Sequence, residues 1–237
     1  FNGTVAWMEQ TAHSKSRATL IGIQGTPGSW DAWQALMAES SIQQFYDFIA
    51  VDRPGWGASQ SNDPQVWPKL SDQAEIIAHT LRQIAPSAPV ILVAHSWGGP
   101  VALTLAAQYP ELVNGLVLIA TPANAKISKP RWYHRAAKLT PVQWIIGKQM
   151  SRSNIEMLTL DQELTLLSPF LADIRQPVAI MQGKKDFLVE PENAFYLQRQ
   201  LSKASVNLYY DVDGNHFIPF SKTDDVVEAI RWVIDAI

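Results

Sequence analysis

Six short runs of mostly apolar, β-prone residues recur along the chain. They are ATLIGI at 18–23, FYDFIAVD at 45–52, VILVAH at 90–95, VNGLVLIA at 113–120, VAIMQG at 178–183 and VNLYYDV at 206–212. Most are apolar throughout rather than alternating, which is typical of strands covered on both faces. Helical patterns lie between them, among them residues 72–84 and 98–108 and a last helix near the end of the chain. The pattern predicts an α/β fold with a mostly parallel central sheet and helices on both faces.

Two of these helices carry their own start signals. Asp72 and Glu75 stand at the spacing of a capping box, and Thr223 is a candidate N-cap followed by two aspartates in the first turn. We therefore expect one helix to begin at Asp72 and the last helix to begin at Thr223.

Residues 122–172 interrupt the alternation of strands and helices. The segment has no convincing strand, and its helix starts are marked by Pro130, by Thr140 with Pro141, and by Ser153 with Glu156 at capping-box spacing. We predict a core domain formed by residues 1–121 and 173–237, with residues 122–172 inserted as a helical cap or lid.

Composition and charge exclude several classes of protein. With a formal net charge of -3, the chain of 237 residues lacks the basic character that sequence-independent nucleic-acid binding requires. It contains no cysteine, so disulfides, a thiolate nucleophile and thiolate metal ligands are excluded. No apolar run approaches the ~20 residues that span a bilayer, and we expect a soluble protein. Because the chain begins at Phe1, we expect that a tag or leader was trimmed or a signal peptide was removed, so that the protein is cytoplasmic or exported.

The run VILVAH leads into a serine turn, AHSWGG, at residues 94–99. A protein that attacks a carbonyl with a serine hydroxyl must hold it on a sharp turn, beside a base and near donors for the developing oxyanion. Ala94 and Gly98, two residues before and after Ser96, are small enough for such a turn. Since plain strand–helix turns show the same pattern, the rest of the chain must decide whether Ser96 is a nucleophile.

The serine turn resembles the nucleophile elbow G-x-S-x-G of the α/β-hydrolase family, with Ala94 in place of the first glycine. In that family the acid follows the serine along the chain and the histidine comes last. Asp186, in GKKD after the fifth apolar run, and His216, in DGNHF after the sixth, match these two positions. The resemblance implies Ser96, Asp186 and His216 as catalytic residues, with Glu190 as the reserve candidate for the acid.

A second resemblance lies in IQGTPGSW at residues 23–30, which matches the family's H-G-x-P-G loop in four of five positions. It implies that the backbone N–H groups of Thr26 and Trp97 form an oxyanion hole. Gln24 replaces the usual histidine, so an amide must make the hydrogen bonds that brace this loop.

The stretch DRPGWGAS at residues 52–59 is also similar to the family. We assign it a structural role, in which Asp52 and Arg53 bind backbone groups and each other.

The resemblance implies a serine hydrolase that cleaves carboxylic esters through an acyl-enzyme, without metal or organic cofactor. His13, His79 and His134 lack ligand spacing to one another. Serine at the elbow argues against members that use aspartate there, such as haloalkane dehalogenases and epoxide hydrolases. The alternatives are a non-catalytic ligand-binding or receptor protein on the same fold, a proline-type aminopeptidase, a thioesterase and a C–C hydrolase.

The inserted segment is strongly basic over its first part. Residues 122–155 contain seven basic residues and no acidic one. Three aromatic residues, Trp132, Tyr133 and Trp144, are the predicted substrate-binding side chains of the cap. The charge has two interpretations, a solvated face above an apolar one, or a surface that attracts an anionic or lipid-like ester substrate or a membrane surface.

Overall fold

The computed structural model describes residues 5–60, 69–137 and 140–237, without the side chains of residues 135, 140–144 and 146. In this part of the chain the strands are β1 (Trp7–Gln10), β2 (Ala18–Ile23), β3 (Tyr46–Val51), β4 (Val90–His95), β5 (Gly115–Ile119), β6 (Val178–Gly183) and β7 (Val206–Asp211). They form one seven-stranded sheet in the order β1-β3-β2-β4-β5-β6-β7. β1 is antiparallel to β3, and the other neighbouring pairs are parallel. The predicted α/β fold with a mostly parallel sheet is confirmed.

Helices connect the strands and cover the sheet. Within the described residues they are α1 (Gln34–Met37), α2 (Ser40–Phe45), α3 (Leu70–Ile84), α4 (Gly98–Gln108), α5 (Trp132–Ala136), α6 (Thr140–Leu167), α7 (Glu192–Gln200), α8 (Ile218–Ser221) and α9 (Thr223–Asp235). Short 3₁₀ turns lie at Trp30–Trp33, Gly57–Ser59, Pro110–Leu112 and Ser168–Asp173.

The central strands are apolar throughout because both of their faces are buried. In β4, Leu92 and Ala94 belong to one hydrophobic cluster, whereas Ile91 and Val93 belong to another on the opposite face of the sheet. Successive side chains of a strand point to opposite faces, so a strand covered on both sides needs an unbroken apolar run.

The last helix starts at Thr223, as predicted, but neither Asp72 nor Thr223 is the N-cap of its helix. α3 begins at Leu70, whose N–H donates to the carboxylate of Glu163 at 2.8 Å, so a side chain from α6 replaces the expected cap at Asp72. α9 has Lys222 at the N-cap position, and the Thr223 hydroxyl instead donates to Glu39. In α3 a contact distant in sequence takes over the role of a local cap, whereas in α9 such a contact engages the hydroxyl that was expected to cap the helix.

The segment at residues 122–172 is helical, as predicted, but its third helix start is wrong. α6 consists of two helical pieces that meet at a kink at Gly147, with φ 77° and ψ 174°, and the second piece runs through Ser153 without a new start there. Glu156 does not close a capping box, because it is buried against Arg53 of the core. The division of the chain into a core domain and a cap stays a prediction.

Candidate active site

Ser96 stands at the carboxyl end of β4, on the turn that leads into α4. Its φ of 52° lies in the left-handed region, which costs a residue with a side chain roughly 1–2 kcal/mol. Its N–H donates to the carbonyl of Ile119 in the neighbouring strand at 2.9 Å. The turn also requires Gly98, since a Cβ there would lie 2.2 Å from the carbonyl oxygen of Ile23 in β2. The sheet thus holds a serine in a strained and well-supported conformation.

His216 and Asp186 come together from the loops after β7 and β6. The Nδ1 atom of His216 lies 2.8 Å from Oδ2 of Asp186, and both side chains are buried. The other oxygen of Asp186 accepts the N–H groups of Leu188 and Val189, each at 2.9 Å. Burial by itself raises the pKa of Asp186, but the hydrogen bond and charge of His216 and these two N–H groups outweigh it and hold the pKa below its ordinary value. An ionised Asp186 fixes the proton of His216 on Nδ1 and leaves Nε2 as an acceptor.

The other carboxylates near His216 in sequence are engaged elsewhere. Glu190, the reserve candidate, lies 3.4 Å from Arg131. Asp211 pairs with Lys222, and Asp213 with Lys185. Asp186 is therefore the carboxylate that the fold brings to His216.

His95 is a residue of the site to which the sequence assigned no role. Its Nε2 lies 2.9 Å from the backbone carbonyl of His216, and the two rings stand 4.8 Å apart. Burial, followed by the charge of His216, lowers the pKa of His95 from 6.5 to about 3. His95 is thus neutral near pH 7 and donates its Nε2–H to His216. The AHS stretch contains the histidine, but the contact spans 121 residues and cannot be read locally.

The loop at residues 24–28 follows β2 and faces the serine turn. A Cβ at Gly25 would lie 2.9 Å from the Cβ of Ser96, so this position needs glycine for the loop to approach the turn. Within the described residues, no hydrogen bond uses the backbone N–H of Thr26 or of Trp97. Gln24 is buried, and with its amide oriented to match its neighbours it donates to the carbonyl of Val51 at 2.8 Å and accepts the N–H of Arg53 at 3.1 Å. The Gln24 amide therefore makes hydrogen bonds that hold this loop, the role expected of it where the family motif has histidine.

Asp52 and Arg53 bind backbone groups, as predicted, but not each other. Asp52 accepts the N–H groups of Trp30 and Ala58, each at 2.7 Å. Arg53 pairs with Glu156, at 2.7 Å, because its side chain points toward α6 rather than back along its own loop.

A cavity of about 280 Å³ joins these elements. It is lined on the sheet side by Thr26, Ser96, Trp97 and His216, and on the helical side by residues that include Ser128, Lys129, Arg131, Tyr133, His134, Met150, Met157 and Leu160. Thr26, Ser96, Trp97 and His216 therefore open on one common space, which Asp186 does not line. Much of the opposite wall comes from the segment at residues 122–172, and the rest from residues 188–190.

The three predicted aromatic residues of that segment have different positions. Tyr133 lines the cavity. Trp132 does not, because its neighbouring place on α5 turns its side chain outward, where it is 80% exposed and contacts the ring of Tyr133. The side chain of Trp144 lies outside the described residues.

The family described as "alpha/beta hydrolase fold" matches residues 18–141, more than half of the chain. The chain belongs to the alpha/beta hydrolase fold family. This confirms the family that the serine turn indicated. The match contains β2 to β5 and the serine turn, whereas Asp186 and His216 lie beyond it.

Proteins similar to this member of the alpha/beta hydrolase fold family differ in their named activities. Epoxide hydrolase 1 of Caenorhabditis elegans is 29% identical over 208 residues, covering 84% of this chain and 48% of that protein. Pimeloyl-[acyl-carrier protein] methyl ester esterase of Nitrosomonas europaea is 24% identical over 249 residues, covering 90% and 94%. Among solved structures, peroxisomal alpha-beta-hydrolase Lpx1 of Saccharomyces cerevisiae has a TM-score of 0.75 at 14% identity, covering 98% and 82%, a likeness in fold alone. The chain spans less than half the length of the curated epoxide hydrolases that it matches.

The described ranges offer neither a membrane-spanning helix nor a metal site. In residues 5–60, 69–137 and 140–237, no helix has the length and apolar character to cross a membrane. In the same ranges, no cluster of three or more His, Asp or Glu side chains could hold a metal ion.

Proposed function

We propose that this protein is a serine hydrolase that cleaves carboxylic esters, with Ser96 as nucleophile, His216 as general base and Asp186 as the group that orients it. The observation that carries the proposal is the 2.8 Å contact between His216 and Asp186 beside a cavity that Ser96 also lines. A buried carboxylate on Nδ1 leaves Nε2 of the histidine to accept a proton, which is the state a general base requires.

In the proposed reaction, Ser96 Oγ attacks the acyl carbon while its proton passes to Nε2 of His216. The carbon–oxygen bond to the alcohol then breaks, and the alcohol leaves with that proton. Water next gives a proton to His216 and attacks the acyl-enzyme, which releases the acid and returns the proton to Ser96. The N–H groups of Thr26 and Trp97 bind the oxyanion in both halves, and each such donor is typically worth ~10²- to 10³-fold in kcat.

An ester substrate is favoured over an epoxide by the residue at the turn. Ser96 occupies the position where, in the family resemblance, epoxide hydrolases carry aspartate. A serine ester formed from an acyl group can be hydrolysed at its carbonyl, whereas opening an epoxide with serine would leave an ether that water does not cleave. The esterase relative that the chain covers almost completely supports the same choice.

The cavity also limits the substrate. Its volume of about 280 Å³ lies at the lower end of the ~300–1,000 Å³ common for small-molecule sites. Met157 and Leu160 supply apolar surface, and Lys129 and Arg131 supply positive charge. The site thus suits a short or medium ester with an apolar portion.

Labelling with a fluorophosphonate, followed by mapping of the modified peptide, tests the proposal directly. We expect the label on Ser96, and a burst of p-nitrophenol from a short-chain p-nitrophenyl ester. Ser96→Ala should abolish both with an unchanged circular dichroism spectrum. Ser71→Ala, at an exposed serine outside the site, is the matched control. An intact fold that neither reacts with the label nor turns over any ester would instead favour a ligand-binding protein.

A further inference from the structure

A buried ion pair connects the inserted helical segment to the core. Nη1 of Arg53 lies 2.7 Å from Oε1 of Glu156, and the two side chains are 0% and 1% exposed. The partners are 103 residues apart in the chain, with Arg53 just after β3 and Glu156 on α6. The indole N–H of Trp56 donates to the same carboxylate at 3.1 Å. Burial of this kind is uncommon for charged groups unless each one is paired and hydrogen-bonded.

The guanidinium of Arg53 uses all five of its N–H donors, which leaves it a single orientation. Nη1 donates to Glu156 and to the amide oxygen of Gln73, at 2.7 and 2.8 Å. Nε donates to the carbonyl of Gln24 at 2.8 Å, and Nη2 donates to the carbonyl of Gly25 at 2.8 Å and to Glu156 at 3.2 Å. The carboxylate thus fixes one edge of the guanidinium while the other edge binds two successive backbone carbonyls.

Those two carbonyls belong to the residues that immediately precede Thr26. A peptide unit is planar, so the carbonyl of Gly25 and the N–H of Thr26 lie in the same rigid plane. A donor that fixes the carbonyl of Gly25 therefore also fixes the direction in which the N–H of Thr26 points. Catalysis by an oxyanion hole depends on that direction, because its donors must be placed before charge develops.

We propose that Arg53 and Glu156 are positioning residues for the oxyanion hole, through which α6 of the inserted segment sets the orientation of the Thr26 N–H. The proposal rests on the ester hydrolase function put forward above. It assigns the ion pair an effect on the transition state, in addition to any contribution to folding.

Substrates that differ in the atom that becomes the anion separate these two effects. A thionoester places sulfur where an ester places oxygen, and sulfur gains much less from N–H donors. In Glu156→Gln we expect kcat for an ester to fall about 10- to 100-fold, with KM changed less than about 2-fold and kcat for the matched thionoester changed less than about 3-fold. If Glu156→Gln does not fold, Arg53→Met/Glu156→Met removes both charges together and should give the same selective loss.

The exposed pair Arg82–Glu111, with side chains 49% and 57% exposed, provides the matched control, and Glu111→Gln should leave both rates unchanged. Equal losses for ester and thionoester, or no loss for either, would overturn the proposal.

Amide hydrogen exchange distinguishes failure of the positioning role of Arg53 and Glu156 from failure of the proposed ester hydrolase function. In the absence of any substrate, the peptide covering residues 23–30 should exchange faster in Glu156→Gln than in the parent protein, while peptides from β6 and β7 should not change. Unchanged exchange in that loop would contradict the positioning role even if the protein hydrolyses no ester.

Discussion

His95 gives the site a residue whose protonation state is set by burial. Its pKa falls from 6.5 to about 3, so between these values the unfolded chain binds a proton that the folded protein does not. The free energy of unfolding that neutral His95 contributes is therefore fully present above pH 6.5. It is lost as the pH falls toward 3, by up to ~1.4 kcal/mol per pH unit. In His95→Phe this contribution to the slope of unfolding free energy against pH should disappear. The variant is also less stable at pH 7, because the carbonyl of His216 loses its donor.

Denaturant unfolding at pH 7, 6, 5 and 4 measures that slope. His79→Gln, at an exposed histidine, should retain the slope of the parent protein. The same slope in His95→Phe and in the parent would show that His95 is not the neutral group described here.

Asp186 controls the tautomer of His216. In Asp186→Asn the amide can place its N–H against Nδ1, which moves the histidine proton to Nε2 and removes the acceptor that Ser96 needs. We expect kcat to fall by ~10³- to 10⁴-fold with the fold retained. Steady-state kinetics on a p-nitrophenyl ester measure this, with Asp213→Asn as the control at an exposed carboxylate that binds Lys185. A loss below tenfold would argue that another group orients the base.

The separate parts of the candidate site could be predicted from the sequence because motifs that resemble those of the α/β-hydrolase family follow the apolar runs. Ser96, Asp186 and His216 stand directly after strands of a parallel sheet, and the carboxyl ends of such strands meet at one edge. The supporting contacts could not be predicted. Glu156 matched a capping box, and only the packing of α6 against the core shows that it binds Arg53.

At the scale of elements, the burial of a strand determines whether it can be recognised in the sequence. β2 to β7 were placed to within two residues. β2 to β6 are buried and must be apolar on both faces, whereas the edge strand β7 is only half-buried and was found from its valine, leucine and tyrosine residues. β1 was missed, because it is an edge strand that pairs only with β3 and carries the largely exposed sequence WMEQ. A strand held mainly by backbone hydrogen bonds has no apolar pattern to detect.

The start of α4 lies close against the backbone of β2. A Cβ at Gly98 would lie 2.2 Å from the backbone oxygen of Ile23, which cannot move without distorting β2. Gly98→Ala should therefore cost more than about 3 kcal/mol and displace the serine turn. At Gly115 an added Cβ would also come within 2.2 Å of an atom, but this atom is Cγ1 of the Val233 side chain on α9 and not a backbone atom of the sheet.

Gly115→Ala is thus the matched control, with an expected loss of about 1–2 kcal/mol. Urea unfolding measures both variants. Equal losses of unfolding free energy in the two variants would show that contact with a backbone oxygen makes Gly98 no more sensitive to an added Cβ than Gly115.

At the scale of the whole molecule, charge is distributed unevenly. Residues 122–155 contain seven basic and no acidic residues, and since the chain carries a net charge of -3, the remaining residues carry -10. Lys129 and Arg131 line the cavity, and Lys126 and Lys148 are exposed. Large apolar side chains are exposed on the same segment, with Trp132 at 80% and Ile145 at 83%. Positive charge beside exposed aromatic and aliphatic groups is the combination that binds anionic lipid surfaces.

Sedimentation with vesicles tests that consequence of the charge distribution. We expect the protein to bind vesicles with a large fraction of phosphatidylserine at low salt, and to bind phosphatidylcholine vesicles much more weakly. Trp132→Ala should weaken binding to the anionic vesicles without changing hydrolysis of a soluble ester, because its side chain does not line the cavity. Equal binding to both kinds of vesicle would exclude a role for the basic residues.

The same charge should act on soluble substrates. An ester with a carboxylate on its alcohol portion is attracted to Lys129 and to Arg131, whose charge Glu190 partly offsets. Salt screens this attraction, with a Debye length of about 30 Å at 0.01 M and 3 Å at 1 M. We expect kcat/KM for the acidic ester to fall as salt rises, while that of a neutral ester of equal size stays constant. Lys129→Glu should remove most of the difference, whereas Lys15→Glu, the same charge change at an exposed lysine of the core, should not. If both esters respond equally to salt, the positive residues at the cavity do not select the substrate, and the basic segment is only a solvated face.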